Sequence, residues 1–514
     1  MRQEKKTGRK FYITTAIDYV NSKPHLGTAY EKIVADVIAR YHRLLGDDTF
    51  FLMGNDEHSL NVAAKAKELG LDVLEYCDQM EEEFRRVWER LNISFDDFIR
   101  TTEKRHEETV RDVLSRVYEK GDIYQGTYEG WYCVSCEAFY RDKDLIDGLC
   151  PLHQKKPVWI SEKNYFFSLS KYEKPLLKLI EEENPDFIRP EIRKNEILSL
   201  IHSGLEDVSL SRSSTHWGIP LPFDPNNVVY VWFDALINYL SGVGYATDKE
   251  RFERYWPADL HLIGKDITRF HCVIWPAILM SAGIELPKSV FAHGFITISG
   301  ERMSKTLGTA LDPLELADKY HADAVRYFLI REIPLDRDGD FSIERFRERF
   351  NAELANDYGN LLSRTITMIE KYNQGRIIPP KKDDDEKLKA KAVEVIERYR
   401  KRMDALELEE GIKAIWELLR AANLYIDREK PWELAKQQAR RERLTAVLYN
   451  LAESLRKISI LLYPVMPEKT SEALAQLGLA KPADELSIKE VEEWGTIPAD
   501  TRVRKGGHLF PRLS

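Results

Sequence analysis

The sequence predicts an α/β fold, in which a doubly wound parallel sheet carries an inserted module and is followed by an all-α bundle. Three observations predict it. Short apolar runs alternate with helix-spaced segments over residues 10–70, and the strand pattern returns at 228–298. Residues 119–165 break that rhythm with Gly, Cys, Trp and Tyr in short strand-like pieces. From about 350 to 480 nearly every segment has Trp, Leu and Ala spaced by three and four.

Each element has a local reason. "KFYITTAID" (10–18) reads as a buried strand, and "NSKPHLGTAY" turns it into a helix. "TAYEKIVADVIARYHRLLG" (28–46) has apolar residues at helical spacing and stops at Gly46. "DTFFLMGNDEH" (48–58) is a second strand running into a polar turn, and "SLNVAAKAKELG" (59–70) is a second helix. Strand, helix, strand, helix implies parallel pairing in a Rossmann-like sheet, whose ligands bind beyond the carboxyl ends of the strands. "VVYVWFDAL", "DLHLIGKD" and "SVFAHGFITI" bring the strand pattern back. The expected domains are 1–118 and 225–295 for the two halves of the sheet domain, 119–224 for the insertion, 296–350 for a connecting loop region and 351–514 for the helical bundle.

At 514 residues the chain is too long for one hydrophobic core. A net charge of −9 offers no overall basic field for coating DNA. No apolar run approaches 18 residues and no apolar signal core follows the basic N-terminus, so neither a membrane span nor a signal peptide is expected. Five cysteines do not make a disulfide framework, and a reducing, cytoplasmic location is expected.

Two motifs suit phosphate. His25-Leu26-Gly27-Thr28 opens a helix after the first strand. Unpaired N–H groups there favour anions, Gly27 lets a flat base approach, and His25 and Thr28 can donate to phosphate. So short a motif is, by itself, more often a plain turn and cap. "FITISGERMSKTLGTALDP" (295–313) adds a cation, Lys305, in a Ser/Thr loop with Gly300 and Gly308 on either side. A Lys on a flexible stem can follow charge as it moves during reaction, although most loop lysines only meet solvent. The pairing of the two motifs, one after the first strand and one after the last, is what makes them specific.

A third motif suits a metal. Cys133, Cys136, Cys150 and His153 form C-x2-C-x13-C-x2-H, two tight pairs across a medium gap. That spacing suits tetrahedral Zn2+, and four protein ligands leave no open position, so the ion is expected to be structural.

With these motifs the chain resembles the class I aminoacyl-tRNA synthetases. His25–Thr28 is similar to the family's HIGH signature, with Thr for the last His. Arg302–Thr306 is similar to KMSKS, with Arg for the first Lys and Thr for the last Ser. The resemblance implies attack of an amino-acid carboxylate on ATP, with Mg2+ accompanying the nucleotide. It implies catalytic roles for His25, Thr28 and Lys305. It further implies nucleotide contacts from Gly27, Glu31, Gly264, Lys265 and Asp266, where Asp266 can accept from ribose hydroxyls.

Within that family the resemblance is to the methionyl-specific branch, and it runs nearly the whole chain. It places Ile17, Tyr19, Asp56, Trp232, Leu236, Tyr239, Phe270, His271 and Trp275 around L-methionine, with Asp56 holding the ammonium. Leu236 and Asp18 stand where the family often has Pro. Physically the set reads as a thioether pocket: aromatic faces attract a polarizable sulfur, and Tyr239 and His271 can donate weak hydrogen bonds to it. Each aromatic taken singly reads equally well as core. The insertion looks too short for the editing module of the Ile, Leu and Val enzymes, and residues 11–24 lack the Cys of the cysteine enzyme. The knuckle resembles the single-knuckle form of the methionyl insertion.

The same resemblance makes the bundle a tRNA(Met) anticodon reader through Asn360, Arg364 and Trp432. Asn360 and Arg364 are four apart and so share a helix face, and an aromatic can stack a splayed base. Without the resemblance, Trp432 reads as a packing residue after Pro431 at a helix start. Some family members continue into a C-terminal dimerising domain that this sequence does not supply, so a monomer is expected. Two alternatives stay open: another small-molecule adenylyltransferase of this superfold, or a tRNA-binding protein that has lost catalysis.

Overall fold

The computed structural model describes residues 8–135, 137–140, 142–151, 154–213, 215–298, 301–302, 311–381 and 385–513. Its centre is a seven-stranded sheet of β1 (Lys10–Thr15), β2 (Asp18–Tyr19), β3 (Asp48–Asp56), β4 (Asp97–Arg100), β5 (Ile188–Arg189), β6 (Leu260–Gly264) and β7 (Val290–His293). All its pairings are parallel. β1 lies between β3 and β6, with Ile13 in register with Phe51 on one side and Leu260 on the other. β2 and β4 also pair with β3, and β6 leads through β7 to β5. The chain leaves β1 for β3 on one flank and later reaches β6 on the other. A crevice therefore opens at the carboxyl ends of β1 and β6, the switch point where such sheets bind ligands.

Helix α1 (Leu26–Leu45) makes the crossover from β1 to β3. It ends at Gly46, whose φ of 91° is left-handed, and there the Gly46 N–H bonds to the Arg43 carbonyl. Fifteen of its twenty residues are buried, including Lys32, Asp36 and Arg40, so these charges need partners inside the protein. Asp36 accepts from Arg40 Nε at 2.8 Å, from Arg326 Nη2 at 2.6 Å and from the Ser94 N–H at 2.7 Å. Burial opposes ionisation of Asp36, but the Arg40 and Arg326 charges outweigh it and hold the carboxyl well below its usual range. Arg326 also donates to the carbonyls of Pro464 and Val465, each at 2.9 Å, and through Nη1 to the Leu91 carbonyl at 3.2 Å. One buried cluster thus joins α1, the 322–332 helix and the C-terminal bundle.

The C-terminal region is mainly helical and contains α2 (Asn360–Asn373), α3 (Glu386–Asp404), α4 (Leu408–Glu429) and α5 (Arg441–Leu462). It is not all-α: Arg376–Ile377 pairs antiparallel with Thr501–Arg502, strands too short to leave a period in the sequence. Two further expectations need correction. Residues 119–224 contain an antiparallel four-stranded sheet (Ala138–Tyr140, Ile123–Cys133, Val158–Phe167, Val208–Ser209), yet β5 returns from within them to edge the main sheet against β7. A two-residue strand leaves too little apolar pattern to be seen in sequence. "VVYVWFDAL" is no central strand either: Asp224–Val229 lies in a separate small sheet, and Val231–Leu236 is helical. A short apolar run does not by its period distinguish strand from helix. Among the described residues no helix is long and apolar enough to cross a membrane.

Candidate functional site

The crevice at the switch point is a cavity of about 970 Å³. At its β1 side the chain turns through 16–25 into α1, and His25 caps the helix: its Nδ1 accepts from the Thr28 N–H at 3.2 Å. An accepting Nδ1 places the proton of the neutral ring on Nε2, where it is a donor. The Leu26 N–H bonds to the Leu311 carbonyl at 3.2 Å. The chain just beyond the "RMSKT" segment is thereby held at the same helix start that HLGT forms. Lys305 itself lies outside the described residues, as do the side chains of Arg302 and Thr306.

His25, Gly27, Thr28 and Glu31 line the cavity on this side, and Gly264 and Asp266 line it at the end of β6. A Cβ on Gly264 would come within 2.7 Å of Asp266 Oδ1, so a larger residue there would have to displace the Asp266 carboxylate. Glu31 is anchored rather than loose: its carboxylate accepts from Lys32 Nζ at 2.8 Å and lies 3.1 Å from His293 Nε2. Burial raises its pKa, but the Lys32 charge and the His293 hydrogen bond lower it further, to about 2. Lys265 is outside the lining; its ammonium bonds to both carboxylate oxygens of Asp338 at 2.7 Å.

Deeper in the cavity is an acid beside an aromatic box. Asp56, at the end of β3, is 2% exposed, and its Oδ1 has no hydrogen-bond partner among the described residues. The same holds for Tyr19 Oη and Trp232 Nε1. Buried polar atoms without partners are costly, and here three lie in the walls of one cavity, where a polar ligand can satisfy them. Burial and the neighbouring Asp234, Glu137 and Glu57 carboxylates raise the pKa of Asp56 well above the usual range. A carboxylate so placed gains strongly from a cation. Trp232 stacks on Phe270 at 3.9 Å between centroids, and Tyr19 meets Trp232 edge-on at 6.0 Å. Ile17, Leu236, Tyr239 and His271 complete the lining.

Two details differ from the sequence reading. Tyr239 Oη lies 2.7 Å from His271 Nε2, and His271 Nδ1 lies 3.1 Å from the Ile267 carbonyl. A carbonyl only accepts, so Nδ1 carries the proton and Nε2 takes the tyrosine's. Both protons are committed within the protein, and neither residue is left as a donor to sulfur. Burial lowers the His271 pKa to about 4, so the ring is neutral. Trp275 is fully buried behind the box, with Nε1 3.3 Å from His261 Nε2, and does not line the cavity.

Sequence reasoning missed the support beneath Asp56. Asp234 bonds His58 Nδ1 at 2.7 Å and His106 Nε2 at 2.6 Å, tying the "GNDEH" turn to the helix that carries Trp232. The available signal was an Asp inside the apolar run "VWFDAL".

With this geometry in place, the comparisons decide the family. A family model described as "tRNA synthetases class I (M)" matches residues 11–156 and 142–366. The methionine–tRNA ligase of Thermotoga maritima is 47% identical over 511 residues, covering 98% of this chain and 80% of that protein. This chain belongs to the methionyl-tRNA synthetase family. The Caldanaerobacter subterraneus subsp. tengcongensis methionine–tRNA ligase is 48% identical, covering 98% of this chain and 79% of that protein. A structure of Mycobacterium tuberculosis methionyl-tRNA synthetase in complex with methionyl-adenylate superposes with a TM-score of 0.94 at 44% identity, covering 98% of this chain and all of that one. A second model, "Anticodon-binding domain of tRNA ligase", matches residues 385–499. A small-molecule adenylyltransferase would leave that bundle without a role.

The other expected sites of a methionyl-tRNA synthetase are partly placed. Cys133 and Cys150 are buried and pack together with Tyr140, whose hydroxyl lies 3.6 Å from the Cys150 Sγ. One thiol ends the strand Ile123–Cys133 and the other lies in the loop before the strand Val158–Phe167, and two buried thiols so brought together suit a shared metal. Cys136 and His153 lie outside the described residues. In the bundle, Asn360 is exposed at the start of α2. Arg364 Nη2 lies 3.2 Å from Asp427 Oδ1 near the end of α4, which turns at Lys430 into the short helix of Trp432. Trp432 is 39% exposed, so the protein covers it only in part.

Proposed function

We propose that the switch-point cavity activates L-methionine with ATP and then passes the methionyl group to tRNA(Met), the two-step reaction of a methionine–tRNA ligase. The observation that supports this best is the meeting, in one cavity, of the His25–Thr28 helix start with Asp56 and the Trp232–Phe270 stack. A carboxylate oxygen of methionine attacks the α-phosphorus of ATP. The bond from that phosphorus to the bridging oxygen breaks, and pyrophosphate leaves. A hydroxyl of the terminal ribose at the 3′ end of tRNA then attacks the methionyl carbonyl, and AMP leaves.

No protein nucleophile is required, so the residues act by positioning and by stabilising charge. Asp56 holds the ammonium, and the Trp232–Phe270 faces meet the thioether. His25 Nε2–H and the N-terminus of α1 face the phosphates, and Lys305 adds a positive charge. Gly264 and Asp266 receive the nucleoside, and Trp275 supports the box from behind. Mg2+ accompanies ATP and neutralises phosphate charge. Methionine should be the one amino acid among twenty that supports strong ATP–pyrophosphate exchange. Exchange with another amino acid in its place refutes the reading.

The finer reading includes one structural zinc on Cys133, Cys136, Cys150 and His153. The far end of the insertion has little core, with Val158 and Trp159 exposed, and a metal staple compensates for that. Metal analysis of the pure protein is expected to give one zinc per chain, and a zinc-free preparation of full activity overturns it. Asn360, Arg364 and Trp432 are proposed to read the anticodon of tRNA(Met), and the enzyme to act as a cytoplasmic monomer. Base stacking on an aromatic contributes about 1–3 kcal/mol, so Trp432→Ala should raise the KM for tRNA roughly tenfold or more. ATP–pyrophosphate exchange without tRNA should stay unchanged. An equal loss of exchange would assign Trp432 to packing.

A further inference from the structure

Glu137 belongs to the insertion by sequence, directly after Cys136, yet its side chain is built into the sheet domain. It is 1% exposed. Its Oε1 accepts from Ser59 Oγ at 2.6 Å, from the Asn61 backbone N–H at 2.8 Å and from Asn61 Nδ2 at 2.8 Å. Ser59 and Asn61 open the helix Leu60–Leu69, only three to five residues beyond Asp56. The backbone carbonyl of Glu137 accepts from the Tyr230 hydroxyl, and Tyr230 is two residues before Trp232. Asn61 Nδ2 also reaches the Val134 carbonyl at 3.2 Å. The two functions of one residue therefore grip two different walls of the cavity. The side chain grips the segment that carries Asp56, and the main chain grips the segment that carries Trp232.

Glu137 achieves this with a φ of 48°, the left-handed region that residues other than glycine rarely occupy. Such a conformation persists only where surrounding bonds over-determine it, and these are found most often at functional sites. The adenylation chemistry has no use for this carboxylate, since its contacts are with protein donors.

We propose that Glu137 is a positioning residue for methionine. It fixes the spacing between the carboxylate that holds the ammonium and the aromatic stack that holds the thioether, and it couples the insertion to amino-acid selection. The proposal rests on the methionine reading of the cavity. A misplacement of about 1 Å at a reacting group can cost on the order of 10²-fold, so a loosened brace between two walls is measurable.

The test is ATP–pyrophosphate exchange at varied methionine and, separately, at varied ATP. Glu137→Ala is expected to raise the methionine KM about tenfold and to leave the ATP KM within about twofold. Glu137→Gln keeps an oxygen that can accept from Ser59 and Asn61, so it should restore the methionine KM to within about threefold of the unaltered protein. Equal defects in both variants, a parallel rise in both KM values, or an unchanged methionine KM in Glu137→Ala each overturn the proposal. Should the alanine variant fail to fold, Asn61→Ala carries the test, because it removes one donor and leaves the carboxylate capped by Ser59. Its methionine KM should rise about threefold, and no rise overturns the proposal. Methionine-dependent exchange by the unaltered protein tests the underlying reading on its own.

Discussion

Lys305→Ala is expected to slow methionyl-adenylate formation by about 10²–10³-fold, the usual cost of deleting one charge-stabilising donor, while methionine binding stays within about twofold. The reason is the asymmetry of the reaction. Charge moves onto the departing pyrophosphate only as the reaction proceeds, so a cation that follows it acts on the rate and little on binding of the amino acid. The Leu26 N–H at the start of α1 bonds to the Leu311 carbonyl, and Leu311 stands six residues after Lys305 in sequence. Single-turnover adenylate formation and equilibrium methionine binding check the two halves. Loss of both in equal measure would make Lys305 a folding or binding residue.

The second large effect is at Asp56. Asp56→Asn keeps the shape of the side chain and removes its charge, and the methionine KM should rise by about two orders of magnitude. Truncating one partner of a desolvated charge pair costs roughly 2–5 kcal/mol. The pH dependence follows from the direction of the shift. Burial, with Asp234, Glu137 and Glu57 as like-charged neighbours, raises the Asp56 pKa, so the free enzyme protonates this carboxyl earlier on acidification than an exposed Asp would. In the proposed role of Asp56, the methionine ammonium binds the ionised form. The kcat/KM for methionine should therefore fall as pH drops through the Asp56 pKa, and Asp56→Asn should lose that acid limb. Retention of the limb in the Asn variant would move the titration to another group. Asp18, which burial pushes up to about 6 against the pull of Lys32, is the first candidate.

The motifs that singled out these residues could be seen in the sequence for a simple reason. HLGT is a local device: His25 caps a helix through a bond to Thr28, three residues on, so a short motif contains both partners. "GNDEH" likewise presents Asp56 at a strand end, and strand ends are where such sheets bind ligands. The helical bundle was legible because long apolar periodicity survives without knowledge of contacts. The short edge strand β5 and the helical Val231–Leu236 were not, because a few residues carry no decisive period.

The sequence alone determined the parts: strand, capped turn and helix in order, an acid at a strand end, aromatics enough for a thioether pocket, and a cysteine–histidine spacing. These follow from residue type and neighbours a few positions away. Only the tertiary structure decided how the polar groups are spent. Tyr239 donates its hydrogen bond to His271, Lys265 is held by Asp338, Asp234 braces two histidines, and Glu137 reaches from the insertion to cap a helix beside Asp56. These partners lie 32 to 176 residues apart. A hydrogen bond depends on distances of a few tenths of an ångström, and no local pattern encodes those across so long a separation.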